Sequence, residues 1–312
     1  MNETRRAVLS ALETDTVSGP ALAERLDVSR AAVWKHVEAL RADGFAIESG
    51  DEGYELTGVP EFGGAAIEVG LDAPFAVEYH DAIPSTNDRA RELATAGRAD
   101  VAVVADEQTG GRGRLDREWS SPSGGVWLSL VLRPDVPPAS APTFTLAAAV
   151  ATTRAAREAG VDAHIKWPND VLVETPDGER KLAGILTEME GEADRVSWLV
   201  VGIGVNANVA PDDLPADAAG TSIREVAGDV DRRVFTQRLL EEFDALRSDL
   251  DGVLPAWREH AATLGQRVRV ETGEKAVVGE AVDVTGPGTL VVETESGRQS
   301  VTAGDCEHLR PE

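Results

Sequence analysis

Apolar residues in this 312-residue chain change their spacing twice, and each change marks a boundary that the fold must respect. Up to residue 58 they recur at helical intervals, through Ala7, Val8, Ala11 and Leu12, then Ala21, Leu22 and Leu26, then Ala32, Val33, Val37 and Leu40. Two short strand-like runs, 45–49 and 54–57, follow and flank the turn Gly50-Asp51-Glu52-Gly53. The stretch Gly58-Val59-Pro60-Glu61-Phe62-Gly63-Gly64 has the composition of a linker. From about Phe75 strands (75–79, 101–106, 126–132, 164–167, 171–173, 183–189, 196–203) are interspersed with helices (87–96, 143–159, 232–250). Several strands follow one another directly, which predicts a mixed, mostly antiparallel sheet with helices on one face. After Gly265 only short strands with glycine turns remain, the pattern of a small β-barrel. The reading is α+β, with domains at 1–58, 75–263 and 264–312 and a linker at 59–74.

Composition removes several classes. No run approaches the roughly 18–20 apolar residues of a membrane span, and the N-terminus lacks the apolar core of a signal peptide, so a cytoplasmic protein is expected. One cysteine, Cys306, forms no internal disulfide, and five scattered histidines show no metal-ligand spacing. A net charge of −25, spread over the chain, with 26 arginines and only four lysines, points to adaptation to high salt, the composition of a halophile. Any nucleic-acid contact must then rest on a local basic face.

Residues 21–45, ALAERLDVSRAAVWKHVEALRADGF, closely resemble a winged helix-turn-helix, with Ser29 as helix N-cap. Residues 29–41 are the expected recognition helix. There Arg30, Lys35 and Arg41 are opposed only by Glu38, Arg41 placed for backbone phosphate and Arg30 and Lys35 for the major groove. A helical bundle with an unrelated hairpin is the plainer alternative.

The chemistry-bearing segment is Gln108-Thr109-Gly110-Gly111-Arg112-Gly113-Arg114, directly after an apolar strand. Glycines admit a ligand close to the backbone, and two forked cations can neutralise a carboxylate and a phosphate. Its spacing is neither that of a P-loop nor of a dinucleotide fingerprint. Alone, such a loop is equally a surface turn. Downstream stand Lys166-Trp167-Pro168-Asn169-Asp170, then Arg180-Lys181-Leu182-Ala183-Gly184-Ile185-Leu186, then Gly202-Ile203-Gly204-Val205-Asn206. Two of the four lysines, Lys166 and Lys181, lie in these elements.

GRGR with the downstream Trp119, then KWPND, KLAGIL and GIGVN, in that order, resemble the biotin protein ligases over nearly the whole chain, in the bifunctional ligase and repressor form. The resemblance implies a class II synthetase-like catalytic domain and an SH3-like β-barrel behind it. It implies a biotin site of Ser85, Thr86, Asn87 and Gln108, and a closing loop of Gly111, Arg112, Gly113 and Arg114. Lys166 would bridge the biotin carboxylate and the α-phosphate of ATP, with Asn169 and Asn206 on the nucleotide and Mg²⁺ side. Arg112, Arg114 and Lys166 are the expected catalytic residues; Mg²⁺ arrives with ATP, and no protein metal ligand is assigned. Expected partners are a biotin carboxyl carrier protein domain, a DNA operator and a second copy of the chain; no membrane partner is expected. Asp116 and Glu118 depart from the family pattern, which has glycine and a basic residue before the tryptophan, and make this loop less positive. A lipoate-type ligase and a pure ligand-sensing transcription regulator are the rival readings.

Overall fold

A computed structural model describes residues 3–176, 178–215, 219–273 and 275–309, with the backbone alone at Glu3 and Asp116. The chain forms two compact units, Met1–Asp72 and Ala73–Glu312. Among the described residues, no helix is long and apolar enough to cross a membrane.

In the first unit, α1 (Glu3–Leu12), α2 (Gly19–Arg25) and α3 (Arg30–Ala42) are followed by an antiparallel hairpin, β1 (Ala46–Ser49) with β2 (Tyr54–Gly58). Val8, Leu12, Leu22, Val33, Val37 and Leu40, apolar positions of the helical pattern, form the core together with Ile47 of β1. Helices α2 and α3 start where serine hydroxyls cap them: Ser18 accepts from the Ala21 amide at 3.3 Å and Ser29 from the Ala32 amide at 3.1 Å. Gly53 lets the hairpin press against the α1–α2 connection, since a Cβ there would stand 2.4 Å from the Val17 carbonyl. The 59–74 stretch, expected as a linker, contains α4 (Gly64–Glu68), whose Glu68 pairs with Arg6 at 2.8 Å. Val69 joins the first core, with Val59 and Ala65 packed against it, because the stretch still supplies apolar side chains to bury.

The second unit is built on a seven-stranded sheet of β3 (Ala76–Ile83), β4 (Val101–Gln108), β5 (Val126–Leu132), β6 (Ala163–Lys166), β7 (Asp170–Thr175), β8 (Gly178–Gly191) and β9 (Val196–Val205). The spatial order is β3-β4-β5-β9-β8-β7-β6, and β3–β4 is the parallel pair while the others are antiparallel. A parallel pair needs a crossover, here supplied by α5 (Thr86–Thr95). The run from central β5 to edge β6 passes through α6 (Ala141–Glu158).

These two helices cover opposite faces, which corrects the expectation of helices on one face. Asn87 of α5 is hydrogen-bonded to Ser129, which is paired with Gly202; Thr145 of α6 is hydrogen-bonded to Thr187, which is paired with Val201. Gly202 and Val201 are neighbours on β9, so they point to opposite sides. After α7 (Ile223–Ala227), helices α8 (Arg232–Ser248) and α9 (Leu250–His260) pack on α6. The expected single helix 232–250 is thus followed by a second one. Pro255 does not stop α9, because Val253, Ala256, Trp257 and His260 bury a continuous stripe.

A five-stranded antiparallel sheet closes the unit: β10 (Arg267–Glu271), β11 (Ala276–Thr285), β12 (Thr289–Thr294), β13 (Gly297–Val301) and β14 (Asp305–His308), in the order β13-β12-β11-β10-β14. It is fastened to the end of β6 by the Trp167 amide donating to Thr263 Oγ1 at 2.9 Å and the Trp167 indole donating to the Gly288 carbonyl at 2.9 Å.

Candidate active site

On the α5 face of the sheet, three glycines replace side chains. Gly184 and Gly204 are directly paired across β8 and β9, and Gly202 lies two residues further along β9. A Cβ at Gly202 would stand 2.2 Å from Asn87 Oδ1, and one at Gly204 would stand 2.7 Å from the Trp119 indole nitrogen. The strand is therefore held to glycine by what lies on it. Over this floor opens a cleft of about 410 Å³.

Its walls come from separate elements. At the start of α5, Ser85 Oγ accepts from the Asp88 amide at 3.3 Å, so the residue is a helix cap as well as a wall. Thr86 donates its amide to Gln108 Oε1 at 2.8 Å, and Gln108 Nε2 donates to Ser121 Oγ at 2.9 Å. The 109–119 loop closes on itself through Gly113 N to Arg117 O at 2.8 Å and Trp119 N to Gly111 O at 3.0 Å. Gly111 serves that closure, since a Cβ there would stand 2.5 Å from the Trp119 carbonyl.

All three arginines of the loop are held. Arg112 Nη2 donates to Asp88 Oδ1 at 2.5 Å, while Arg114 donates to Asn169 Oδ1 at 2.9 Å and to the Gly304 carbonyl at 2.7 Å. Arg117 pairs with Asp305 at 2.6 Å, so the loop also rests on the start of β14. Leu115, at its tip, has φ of +57° and is 75 % exposed. Glu118 lines the cleft; the side chain of Asp116 lies outside the described residues.

A second cleft of about 290 Å³ adjoins the first, and the two share Glu118, Trp119, Asp170 and Lys181. Lys181 Nζ is 2.6 Å from Asp170 Oδ1 and 4.9 Å from the centre of the Trp119 ring, so its ammonium is held between an acid and an aromatic face. Of the expected residues, Ser85, Thr86, Asn87, Gln108, Arg112, Gly113, Arg114 and Asn169 line the first cleft, Lys166 and Asn206 line the second, and Gly111 lines neither. Asn206 is buried and its amide donates to the Thr221 carbonyl at 2.9 Å, bracing the second cleft's wall. The single cysteine, Cys306, is buried, and burial pushes its thiol up to about 12, so it offers no thiolate nucleophile.

In the first unit, Arg30 and Lys35 are exposed, and between them along α3 lies Trp34, 58 % exposed. Arg41 is placed differently. Its guanidinium donates to the Ile47 carbonyl at 2.6 and 2.8 Å, to Ser49 Oγ at 2.8 Å and to Glu38 at 2.6 Å, so it fastens the hairpin to α3.

A model of the biotin/lipoate A/B protein ligase family matches residues 79–206, one of the biotin protein ligase C-terminal domain matches 263–309, and a helix-turn-helix model matches 4–55. The bifunctional ligase/repressor BirA of Bacillus subtilis is 38% identical over 307 residues, 93% of this chain and 93% of that protein. The chain belongs to the biotin protein ligase family. BirA of Escherichia coli is 29% identical over 293 residues, covering 89% of this chain and 88% of its own. Among solved structures, the biotin protein ligase from Aquifex aeolicus in complex with biotin and ATP superposes with a TM-score of 0.63 at 25% identity, over 75% of this chain and 99% of that one.

For a member of the biotin protein ligase family, the signals that pointed to the clefts were the glycine pairs and the two lysines. Sequence reasoning singled out Lys181 but gave it no role. It missed Asp170 and Glu188 as cleft residues; Glu188 meets its partner Asn87 from 101 residues away.

Proposed function

We propose that this chain makes biotinyl-5'-adenylate from biotin and ATP and passes the biotin to a lysine of a biotin carboxyl carrier protein domain. One observation carries the reading: two adjoining clefts share a single lysine, Lys181, as a reaction between two bound anions requires. Biotin occupies the glycine-floored cleft and ATP the second.

In the first step a biotin carboxylate oxygen attacks the α-phosphorus, forming the acyl–phosphate bond and releasing pyrophosphate. Lys181 lines both clefts, so it takes the bridging position between carboxylate and α-phosphate that the sequence reading gave to Lys166. Lys166 serves the phosphates from the second cleft. Arg112 and Arg114 add forked donors from the loop side. Such fixed cations offset the repulsion between the anions without reorganising. In the second step the carrier lysine amine attacks the biotinyl carbonyl carbon, and AMP leaves with the bonding electrons. Neither step needs a protein nucleophile. Asp170 and Glu118, both at the junction, are hard oxygen donors of the kind Mg²⁺ takes beside phosphates, and bound there it would supply charge neutralisation.

The first unit adds repression. In this reading α3 is the recognition helix of a winged helix-turn-helix and β1–β2 its wing, with Arg30, Trp34 and Lys35 facing the DNA and Arg41 fixing the wing's angle. So few cations give weak binding by one copy, which favours a homodimer on two half-sites of an operator. Residues 1–58 form this DNA-binding module, 75–263 the catalytic domain, and 264–312, with β10–β14, an SH3-like barrel.

ATP-dependent pyrophosphate release, measured with biotin and then with lipoate in high-salt buffer, tests the reading. Release with biotin, followed by labelling of a carrier domain, is expected. Release with lipoate alone makes the chain a lipoate ligase, and release with neither makes it a regulator.

A further inference from the structure

Asn87 sits against Gly202 in the wall of the first cleft, with both ends of its amide engaged. Nδ2 donates to Glu188 Oε2 at 2.7 Å and to the Leu186 carbonyl at 3.4 Å. Both partners are acceptors only, so the amide cannot turn over without setting its oxygen against a carboxylate and a carbonyl. Oδ1 therefore faces Ser129, whose Oγ lies 2.5 Å away and must donate to it. A hydroxyl has one proton. Ser129 Oγ also lies 2.8 Å from Thr86 Oγ1, and with its proton spent on Asn87 it has none to give Thr86. The Thr86 proton is directed inward, to Ser129 or to Gln108 Oε1 at 3.0 Å. What Thr86 turns towards the cleft is lone pairs.

We infer that Glu188 is a positioning and specificity residue, which through Asn87 and Ser129 keeps the Thr86 wall of the cleft an acceptor, matched to a ligand whose ring carries N–H donors. This rests on the biotin reading above and deepens it. The ureido ring of biotin has two N–H groups, whereas the dithiolane ring of lipoate has none. A wall of unpaired acceptors rejects a ring without donors far more strongly than a difference in size does. In this role Glu188 acts through Asn87, to which its Oε2 is hydrogen-bonded at 2.7 Å. Its second oxygen is steadied by Arg91, 3.8 Å away.

The test is steady-state kinetics of the full chain with biotin, desthiobiotin and lipoate, on Glu188→Leu, Glu188→Gln and Glu188→Asp, with thermal unfolding as the folding control. Glu188→Leu should raise the KM for biotin about tenfold or more, and that for desthiobiotin in parallel because the ureido ring is kept, leaving the KM for ATP and kcat within about threefold. Glu188→Gln, which still offers an oxygen to Asn87, should stay within about threefold of wild type. Glu188→Asp, whose oxygens retreat by one methylene, should give a smaller rise in the same constant and decides the matter if the leucine variant fails to fold. Unchanged biotin KM in Glu188→Leu, or in Glu188→Asp if that alone folds, overturns the inference. So does a glutamine variant as impaired as the leucine one, or an equal rise in the KM for ATP. Absence of biotin-dependent turnover in the unaltered chain would instead remove the biotin reading.

Discussion

The two faces of the seven-stranded sheet are made by the same strands and differ residue by residue. On one face Leu130, Val201 and Ile203 are sealed beneath helices; on the other, alternate positions of β8 and β9 are Gly184, Gly202 and Gly204, and the space they leave is the cleft. Stability and chemistry are thus interleaved at a period of two. A strand such as β9 reads in sequence as one apolar run, yet in its C-terminal half Val201 and Ile203 face the packed side while Gly202 and Gly204 face the cleft.

Substitutions on the open side should change chemistry with little effect on folding. Lys181→Ala is expected to lower adenylation on the order of a hundred- to a thousand-fold, as loss of one preorganised charge typically does. Lys166→Ala, in the second cleft, should act chiefly on the KM for ATP. Pyrophosphate exchange at varied ATP and biotin separates the two, and a Lys181→Ala protein with wild-type exchange would remove the lysine from the junction.

A smaller catalytic effect belongs to the loop. Arg114→Ala frees Asn169 Oδ1 and the Gly304 carbonyl together, so the loop should close less well and release adenylate. Promiscuous labelling of bystander lysines, read by blotting for biotin, is the expected sign; strict selectivity for the carrier would show that the loop is not the cover.

On the closed face the sign reverses. Leu130→Ala should cost about 2–5 kcal/mol of stability through lost burial and the cavity left behind, with the KM for biotin unchanged where the protein is folded. Denaturant unfolding beside kinetics checks this.

The smallest effect concerns pH. His260, at the end of α9, is buried, and neither ring nitrogen has a hydrogen-bond partner among the described residues. Burial, and then the charge of Arg157, hold its pKa below the ordinary value of 6.5. The unfolded ring takes a proton first. Its contribution to stability is therefore complete above about pH 6.5 and is lost as pH falls through the lower folded value. His260→Leu should flatten the loss of stability between pH 7 and 5, measured by thermal unfolding; an unchanged slope would assign that loss to carboxylates.

Periodicity made the strands legible, and all seven strands of the main sheet lie where apolar runs predict them. It could not say which face a residue takes, because that depends on where crossovers run, and so α5 was placed with the other helices. Glycine was a better guide: the one in KLAGIL and the two in GIGVN became the cleft floor. Helix α9, with Pro255 inside it, was not among the expected helices, since the stripe it buries is one that only tertiary packing reveals. Arg41 looked like a DNA contact by its place on α3. The hairpin carbonyl that takes its guanidinium is invisible at the level of charge counting. Glu188 left no local signal at all.

Two adjacent residues of β9 test the account most directly. Val201→Ala and Gly202→Ala each change one position by carbon atoms alone, on opposite faces of one strand. The account predicts that Gly202→Ala, whose new methyl must displace the locked Asn87 amide, raises the KM for biotin at least about tenfold. Val201→Ala leaves it within about twofold and loses stability on the order of 2 kcal/mol. Equal effects of the two substitutions on the biotin KM, or a Gly202→Ala enzyme with the unaltered constant, would contradict it.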